Sequence, residues 1–321
     1  MRKFIATALF TALGFGVLGC NSFPWTRDRG AVGNGGGDGG GAFAKREPTA
    51  PELVAFLNAN AQRVQAVQCT KVAMDCKQGN ETPVGIDAML VCEKPRNFRL
   101  KGTALGKPVV DIGSNSDEFW FWINDPRGAE APLYHCAYND MKAGQARLPF
   151  PFNPDMVVCA LNIAEYKPDA NYTVRSNNKD IIELIEPIKS LQGQDVYKVT
   201  VFNRGQVTAE RPRVLAYLLK DKQGKDICSA TILETQVNKE TGAVLPVRVK
   251  VVFNGDKASE RSEMTMKFFD SLQPTTVTKE RYETLFTRKD LGHLQGYDLA
   301  RGPDKPAASE QSFRRTVGTD R

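Results

Sequence analysis

Val244-Leu245-Pro246-Val247-Arg248-Val249-Lys250-Val251-Val252-Phe253 sets apolar side chains at 245, 247, 249, 251 and 253, with Arg248 and Lys250 between them. A period of two puts alternate side chains on opposite faces of a strand, so this stretch predicts a sheet with one dry face and one wet face. Working outward, the same period is found in both directions. Upstream lie Gln68 to Asp75, Gly85 to Cys92, Asn97 to Gly102, Pro108 to Ile112 and Glu118 to Ile123, and, closer in, Asp180 to Ile185, Val196 to Phe202, Val214 to Leu219 and Asp226 to Val237. Ser262 to Phe269 follows downstream. Turn residues separate many of them: Gly79-Asn80, Leu105-Gly106-Lys107, Lys222 to Lys225, and Asn238 to Gly242, where a glycine meets the positive φ a hairpin needs. Short connections force antiparallel neighbours. The expected fold class is therefore mainly β (α+β), an up-and-down meander of roughly eleven strands.

Glu118-Phe119-Trp120-Phe121-Trp122-Ile123 breaks the rule of one wet face, because both of its faces are apolar. Each buried aromatic hides about 150–250 Å², so the four together represent roughly 15–25 kcal/mol of gross transfer free energy. Something must cover both sides of this strand. The stretch Leu148-Pro149-Phe150-Pro151-Phe152-Asn153-Pro154 is stiff, apolar and unable to pair as a central strand. Asp155 to Tyr166 then predicts a short helix with Met156, Val157, Ala160, Leu161 and Ala164 on one stripe. Inserted midway through a meander, it would lie across the sheet's concave face. An opening helix is expected where Thr49 and Glu52 form a capping box before Leu53, Leu57, Ala61 and Val64. Tyr282, Leu285 and Phe286 predict one last docking turn, and residues 291–321 a tail without apolar period.

The amino end has the layout of a secretory signal at residues 1–19: Arg2 and Lys3, an uncharged apolar run from Phe4 to Leu18, then Gly19-Cys20. That run is too short for a comfortable transmembrane helix. Val17-Leu18-Gly19-Cys20 resembles the lipobox of bacterial lipoproteins. The resemblance implies a diacylglycerol on the Cys20 sulfur, cleavage before Cys20 and acylation of the new amine, hence a membrane held through an N-terminal lipid. Residues 20–48, dominated by Gly33 to Gly41, read as a flexible linker reaching about 30 Å. Residues 49–290 remain as the folded domain.

The net charge of +6 falls to +4 without Arg2 and Lys3, and no basic block stands out, so a nucleic-acid partner is disfavoured. Six cysteines follow Cys20, and export permits disulfides; Cys69 and Cys92 are a candidate pair across the first hairpin. No Cys-x-x-Cys, P-loop, dinucleotide fingerprint or Gly-x-Ser-x-Gly elbow is present. His135 and His293 form no metal-binding pair, and the neighbours Asp117-Glu118 and His135-Cys136 diverge if extended. The expectation is no catalytic site, no metal and no cofactor.

The opening helix running into a strand, Lys94-Pro95-Arg96-Asn97-Phe98-Arg99-Leu100, Val109 to Asn115 and Glu118 to Trp122 together resemble the LolA/LolB-like superfamily of periplasmic lipoprotein carriers and receptors. The resemblance implies an unclosed antiparallel β-barrel with helices as a lid over an apolar cavity that holds acyl chains. It further implies that Phe119 and Phe121, or else Trp120 and Trp122, line that cavity, with Phe152, Met156 and Leu161 on the lid; Phe150 and Val157 are further cavity candidates. The expected function is an envelope lipoprotein that binds a hydrophobic or acylated ligand, with a role in lipid or lipoprotein trafficking. A second reading stays open: a filled core whose surface meets an envelope protein partner. Asn21 after the lipidated cysteine resembles an outer-membrane address facing the periplasm. Membrane fractionation with intact-mass measurement checks the anchor. The native chain should sediment with membranes and carry acyl mass, and Cys20→Ala should do neither; equal partitioning of the two would contradict the assignment.

Overall fold

The computed structural model describes residues 46–124, 130–144, 146, 148, 154–255, 257–288 and 291–304. Cys20, the glycine linker, Phe150 and Phe152 lie outside the described residues. Helix α1 (Ala50–Ala61) leads into two runs of strands. The first comprises β1 (Ala66–Gln78), β2 (Val84–Glu93), β3 (Asn97–Ala104), β4 (Lys107–Ser114), β5 (Glu118–Ile123) and β6 (Leu133–Ala137). Helices α2 (Tyr138–Lys142) and α3 (Pro154–Ala160) follow. The second run comprises β7 (Thr173–Asn178), β8 (Ile181–Lys189), β9 (Asp195–Asn203), β10 (Val214–Lys220), β11 (Asp226–Val237), β12 (Val244–Phe253) and β13 (Ser262–Phe268). The described chain closes with β14 (Gln273–Thr275), α4 (Lys279–Leu285), β15 (Gly296–Asp298) and β16 (Gly302–Pro303).

All eleven expected strands are present, and β6, β7, β14, β15 and β16 add to them, making sixteen in one sheet among the described residues. The sheet is an unclosed antiparallel barrel. Its order is β16-β15-β6-β5-β4-β3-β2-β1-β13-β12-β11-β10-β9-β8-β7, with β14 on β1. A single meander is thus a correction to make. Two meanders are sewn together where Val72 to Gln78 pair with Phe268 to Ser262. As a result β6 and β7, consecutive along the chain, stand far apart in the order, and residues 138–172 must travel between them.

Two segments close the inner face. In α1, Glu52 accepts from the Thr49 backbone N–H at 2.8 Å, as a capping box requires, and Leu53, Val54, Leu57 and Ala61 are buried. Asn58, Asn60 and Asn162 then bond backbone groups across helix and sheet. Asn60 takes the Val244 N–H at 2.7 Å, and Asn58 Nδ2 donates to the Tyr166 carbonyl at 2.8 Å. Helix α3 is shorter than the expected Asp155 to Tyr166, ending at Ala160. Asn162 at φ 60 turns the chain away, and its Oδ1 accepts from the Tyr217 hydroxyl at 2.6 Å.

The expected tail boundary also moves. Residues 291–304 are ordered: β15 pairs in parallel with β6, and His135 Nε2 lies 3.0 Å from Asp304. This C-terminal segment covers the outer face of β5, where Trp120 and Trp122 pack with Leu133, Leu291 and Leu294. Beneath it, Arg99 and Asp111 form a buried ion pair at 2.5 Å, and Arg99 Nη1 donates to the Thr287 carbonyl at 2.6 Å. Trp120 lies flat on its cross-strand partner Gly113, where an added Cβ would sit 2.2 Å from the indole. Gly113→Ala should therefore push Trp120 out of register and cost about 1–3 kcal/mol, read from urea unfolding. An unchanged midpoint would contradict this packing.

Candidate ligand-binding site

The inner faces of β1 to β4, β12 and β13, together with α3, enclose a hollow of about 680 Å³. Its walls follow from the register. Met74 stands opposite Ile86 on one side and Met266 on the other, and Leu90 opposite Leu100. Phe98, Val109, Ile112 and Val251 add to the same wall, and Met156, Val157 and Ala160 of α3 form its roof. Long unbranched methionines fill such space adaptably rather than rigidly. Polar residues gather at one end, where β1 and β3 finish and β2, β4 and β13 begin: Lys77, Gln78, Thr82, Asn124 and Ser262. Elsewhere, at the end of α1, Lys94 Nζ donates to the Ala61 carbonyl at 2.8 Å. The hollow thus has an apolar interior and a polar mouth.

The roof is held at both ends. Arg96 grips Asp155 through two bonds, at 2.6 and 2.9 Å, and stacks over the Tyr138 ring at 4.4 Å. Both partners are partly exposed, so the ion pair itself is worth at most about 1 kcal/mol. Downstream of α3 the hold is firmer, through Asn162 and the buried Tyr166 hydroxyl, 2.7 Å from Thr200 Oγ1. Burial pushes the Tyr166 phenol well above its ordinary range, so it stays neutral.

The expected lining residues divide. Met156 and Val157 line the hollow. Leu161 does not; it is fully buried in the core below α3. Phe119 and Phe121 face the same side as the hollow but plug one flank of the barrel: Phe119 packs on Tyr138 at 5.8 Å, and Phe121 stacks on Tyr134 at 5.1 Å. Trp120 and Trp122 point to the opposite face, as alternation demands. Neither aromatic pair therefore lines the inner hollow. What reading the sequence missed was the methionine and aliphatic wall, whose signal was the inward alternation of Met74, Ile86, Leu100 and Met266.

Cys69 and Cys92 are free thiols in the structure. The register sets Cys69 opposite Leu90 and Cys92 opposite Val67, so the two are diagonal neighbours rather than partners. His135 and Cys136 do point apart: His135 pairs across the strand with outward Trp120, and Cys136 with inward Phe119.

A larger groove of about 1120 Å³ lies on the outer face, but Lys71, Asp87 and Lys101 line it and water can solvate them. The inner hollow is the one whose lining offers an apolar guest something water cannot.

No family model and no curated protein matches the sequence. Among solved structures the chain is similar to a LolA superfamily protein from Nitrosomonas europaea, with 11% identity over 74% of this chain and 98% of that one, at a TM-score of 0.42. It is also similar to a protein domain from Vibrio parahaemolyticus named for outer membrane lipoprotein sorting (9% identity, 72% and 96% covered, TM-score 0.44). A third is a DUF1329 family protein from Desulfovibrio piger (11% identity, 75% and 97% covered, TM-score 0.42).

Cys76 lines the hollow and is partly exposed, whereas the other five described cysteines are at most 3% exposed. Burial raises its pKa to about 11, so at neutral pH it is a protonated, sluggish thiol. In native protein Cys76 should be the first cysteine to react with a small maleimide, with a rate rising about tenfold per pH unit up to that value. Peptide mapping that finds another cysteine modified first would contradict an open hollow.

Proposed function

We propose that this chain is a non-enzymatic carrier or receptor in the bacterial cell envelope, tethered by lipid on Cys20, that holds a hydrophobic or acyl ligand beneath α3. The observation that carries the reading is the hollow of about 680 Å³, whose wall is mostly aliphatic and methionine side chains. A volume between about 300 and 1,000 Å³ is the usual size of a small-molecule site. Each methylene moved from water into such a lining is favoured by about 0.8 kcal/mol. A chain of ten is thus held by roughly 8 kcal/mol before ordering costs. No helix among the described residues is long and apolar enough to cross a membrane. A lipid on Cys20 supplies the means of keeping such a domain near its source of ligand.

Met264, half-buried on the wall, is the position to test. Met264→Trp should fill the hollow and weaken binding of a long-chain acyl probe by more than about tenfold, while the unfolding temperature stays within a few degrees of the parent. Lipid extraction of native protein followed by mass spectrometry gives the second readout. Delipidated protein that takes up no acyl probe at all would overturn the reading.

A further inference from the structure

We infer that the sulfur side chains on the wall of the hollow form a binding site for one soft monovalent metal ion, Cu(I), with Cys76 as thiolate ligand and Met74, Met264 and Met266 as thioether ligands. The inference goes beyond the acyl reading: it shares the hollow but rests on a different observation, the donor set. Six methionines lie among the described residues, and four of them, Met74, Met156, Met264 and Met266, line this one space together with Cys76. The seam between β1 and β13 brings them together. Met74 stands directly opposite Met266, and Cys76 directly opposite Met264, two residues nearer the mouth on the same face. Opposite side chains on antiparallel strands start about 5 Å apart, and same-face neighbours along one strand about 7 Å apart. The four side chains therefore spring from the corners of a small rectangle. Methionine's rotatable bonds let its sulfur swing over the centre of such a rectangle, and Met156 of α3 borders the same space from the roof.

The donor set selects the ion. Thiolate and thioether sulfurs are soft donors, and soft donors favour Cu(I). Hard cations such as Mg²⁺ and Ca²⁺ need a shell of oxygens, which these four side chains do not offer. Zn²⁺ takes cysteine, histidine and carboxylate ligands, and among the described residues no group of three or more of those could hold a metal. Charge points the same way. Monovalent copper on one thiolate is neutral overall, so an apolar lining accepts it without burying a net charge, whereas a divalent ion would leave one positive charge uncompensated. Binding involves no redox step. The S–H bond of Cys76 breaks, its proton leaves to water through the mouth, and a Cu–S bond forms while copper stays monovalent. Cys76 and Met264 are partly exposed, whereas Met74 and Met266 are buried. An ion arriving from the mouth meets the outer pair first and is then enclosed by the inner pair.

The test uses the delipidated full chain, kept reduced and free of oxygen, and titrates Cu(I) against a chromogenic Cu(I) chelator. The protein should withdraw one ion per chain from the chelator. Its apparent affinity should rise about tenfold per pH unit through the neutral range, because the thiol proton is released on binding. Copper K-edge absorption of the loaded protein should show sulfur neighbours alone. Met264→Leu combined with Met266→Leu, which keeps the volume of both side chains, should weaken binding by about tenfold or more while the unfolding temperature stays within a few degrees of the parent. Cys76→Ala should remove the pH dependence, and Met89→Leu, on the outer face, should change nothing. Bound copper should also shield Cys76 from maleimide. No uptake from the chelator, oxygen or nitrogen neighbours at the copper, an affinity that survives the leucine and alanine variants, or a Cys76 that reacts equally fast with copper present would each overturn the inference. Uptake of an acyl probe is measured separately, so none of these results decides the acyl reading.

Discussion

Val72 to Gln78 of β1 are hydrogen-bonded antiparallel to Phe268 through Ser262 of β13, and this seam joins two meanders into one sheet. Its consequence is topological. Because the seam lies between β1 and β13, the strands on either side of the central interruption, β6 and β7, are left on opposite flanks. The intervening chain has to cross the barrel to get from one to the other. Helix α3 on the inner face is that crossing, and the hollow is the space between it and the strands it passes over. The same seam places Met74 of β1 and Met266 of β13 side by side on the hollow's wall.

Two kinds of packing share the inner surface. On the β5–β6 flank, rings fill space: Phe119 on Tyr138, Phe121 on Tyr134, and Tyr134 in turn on Tyr297 at 5.4 Å. Under α3, flexible methionines and branched aliphatics line the space without occupying it. Flat rings stacked at these distances leave no room for a guest, and their contacts make that flank stiff. A methionine wall can yield to different chain shapes. The outer face of β5 is covered by a different segment, residues 291–304, while the carbonyls of Leu285 and Thr287 are held by Arg99 of the buried Arg99–Asp111 pair. Removing either member of that pair would leave a buried charge without its counterion, a cost of several kcal/mol.

Much of this fold was legible in the sequence wherever a strand carries a strong apolar face. Glu118–Ile123, Asp226–Val237 and Val244–Phe253 are read to the residue. The strands that escaped notice lack such a face. Thr173–Asn178 is a polar edge, Gln273–Thr275 contains a proline, and Gly296–Asp298 pairs in parallel with a strand some 160 residues earlier. No local period announces a pairing of that kind. The need for two covers over Phe119 to Trp122 was likewise legible, but not which segment supplies the outer one. For the site, Met156 and Val157 are read from a helical stripe, and both border the hollow. The aromatic strand misled because its burial energy was plain while its position on the flank was not. A sheet order with β1 beside β13 depends on long-range pairing, and that alone decides which inward residues meet a void.

The central claim is that a space under α3 is left open by the protein's own side chains, and a crystal of the delipidated chain pressurised with xenon tests it most directly. Dry apolar cavities take up xenon, whereas filled cores and wet polar clefts do not. Strong xenon density between Met156 of α3 and the Met74–Met266 wall is the result this account predicts. Density absent there, with side chains from α3 and the strands in direct contact across the gap, would contradict it.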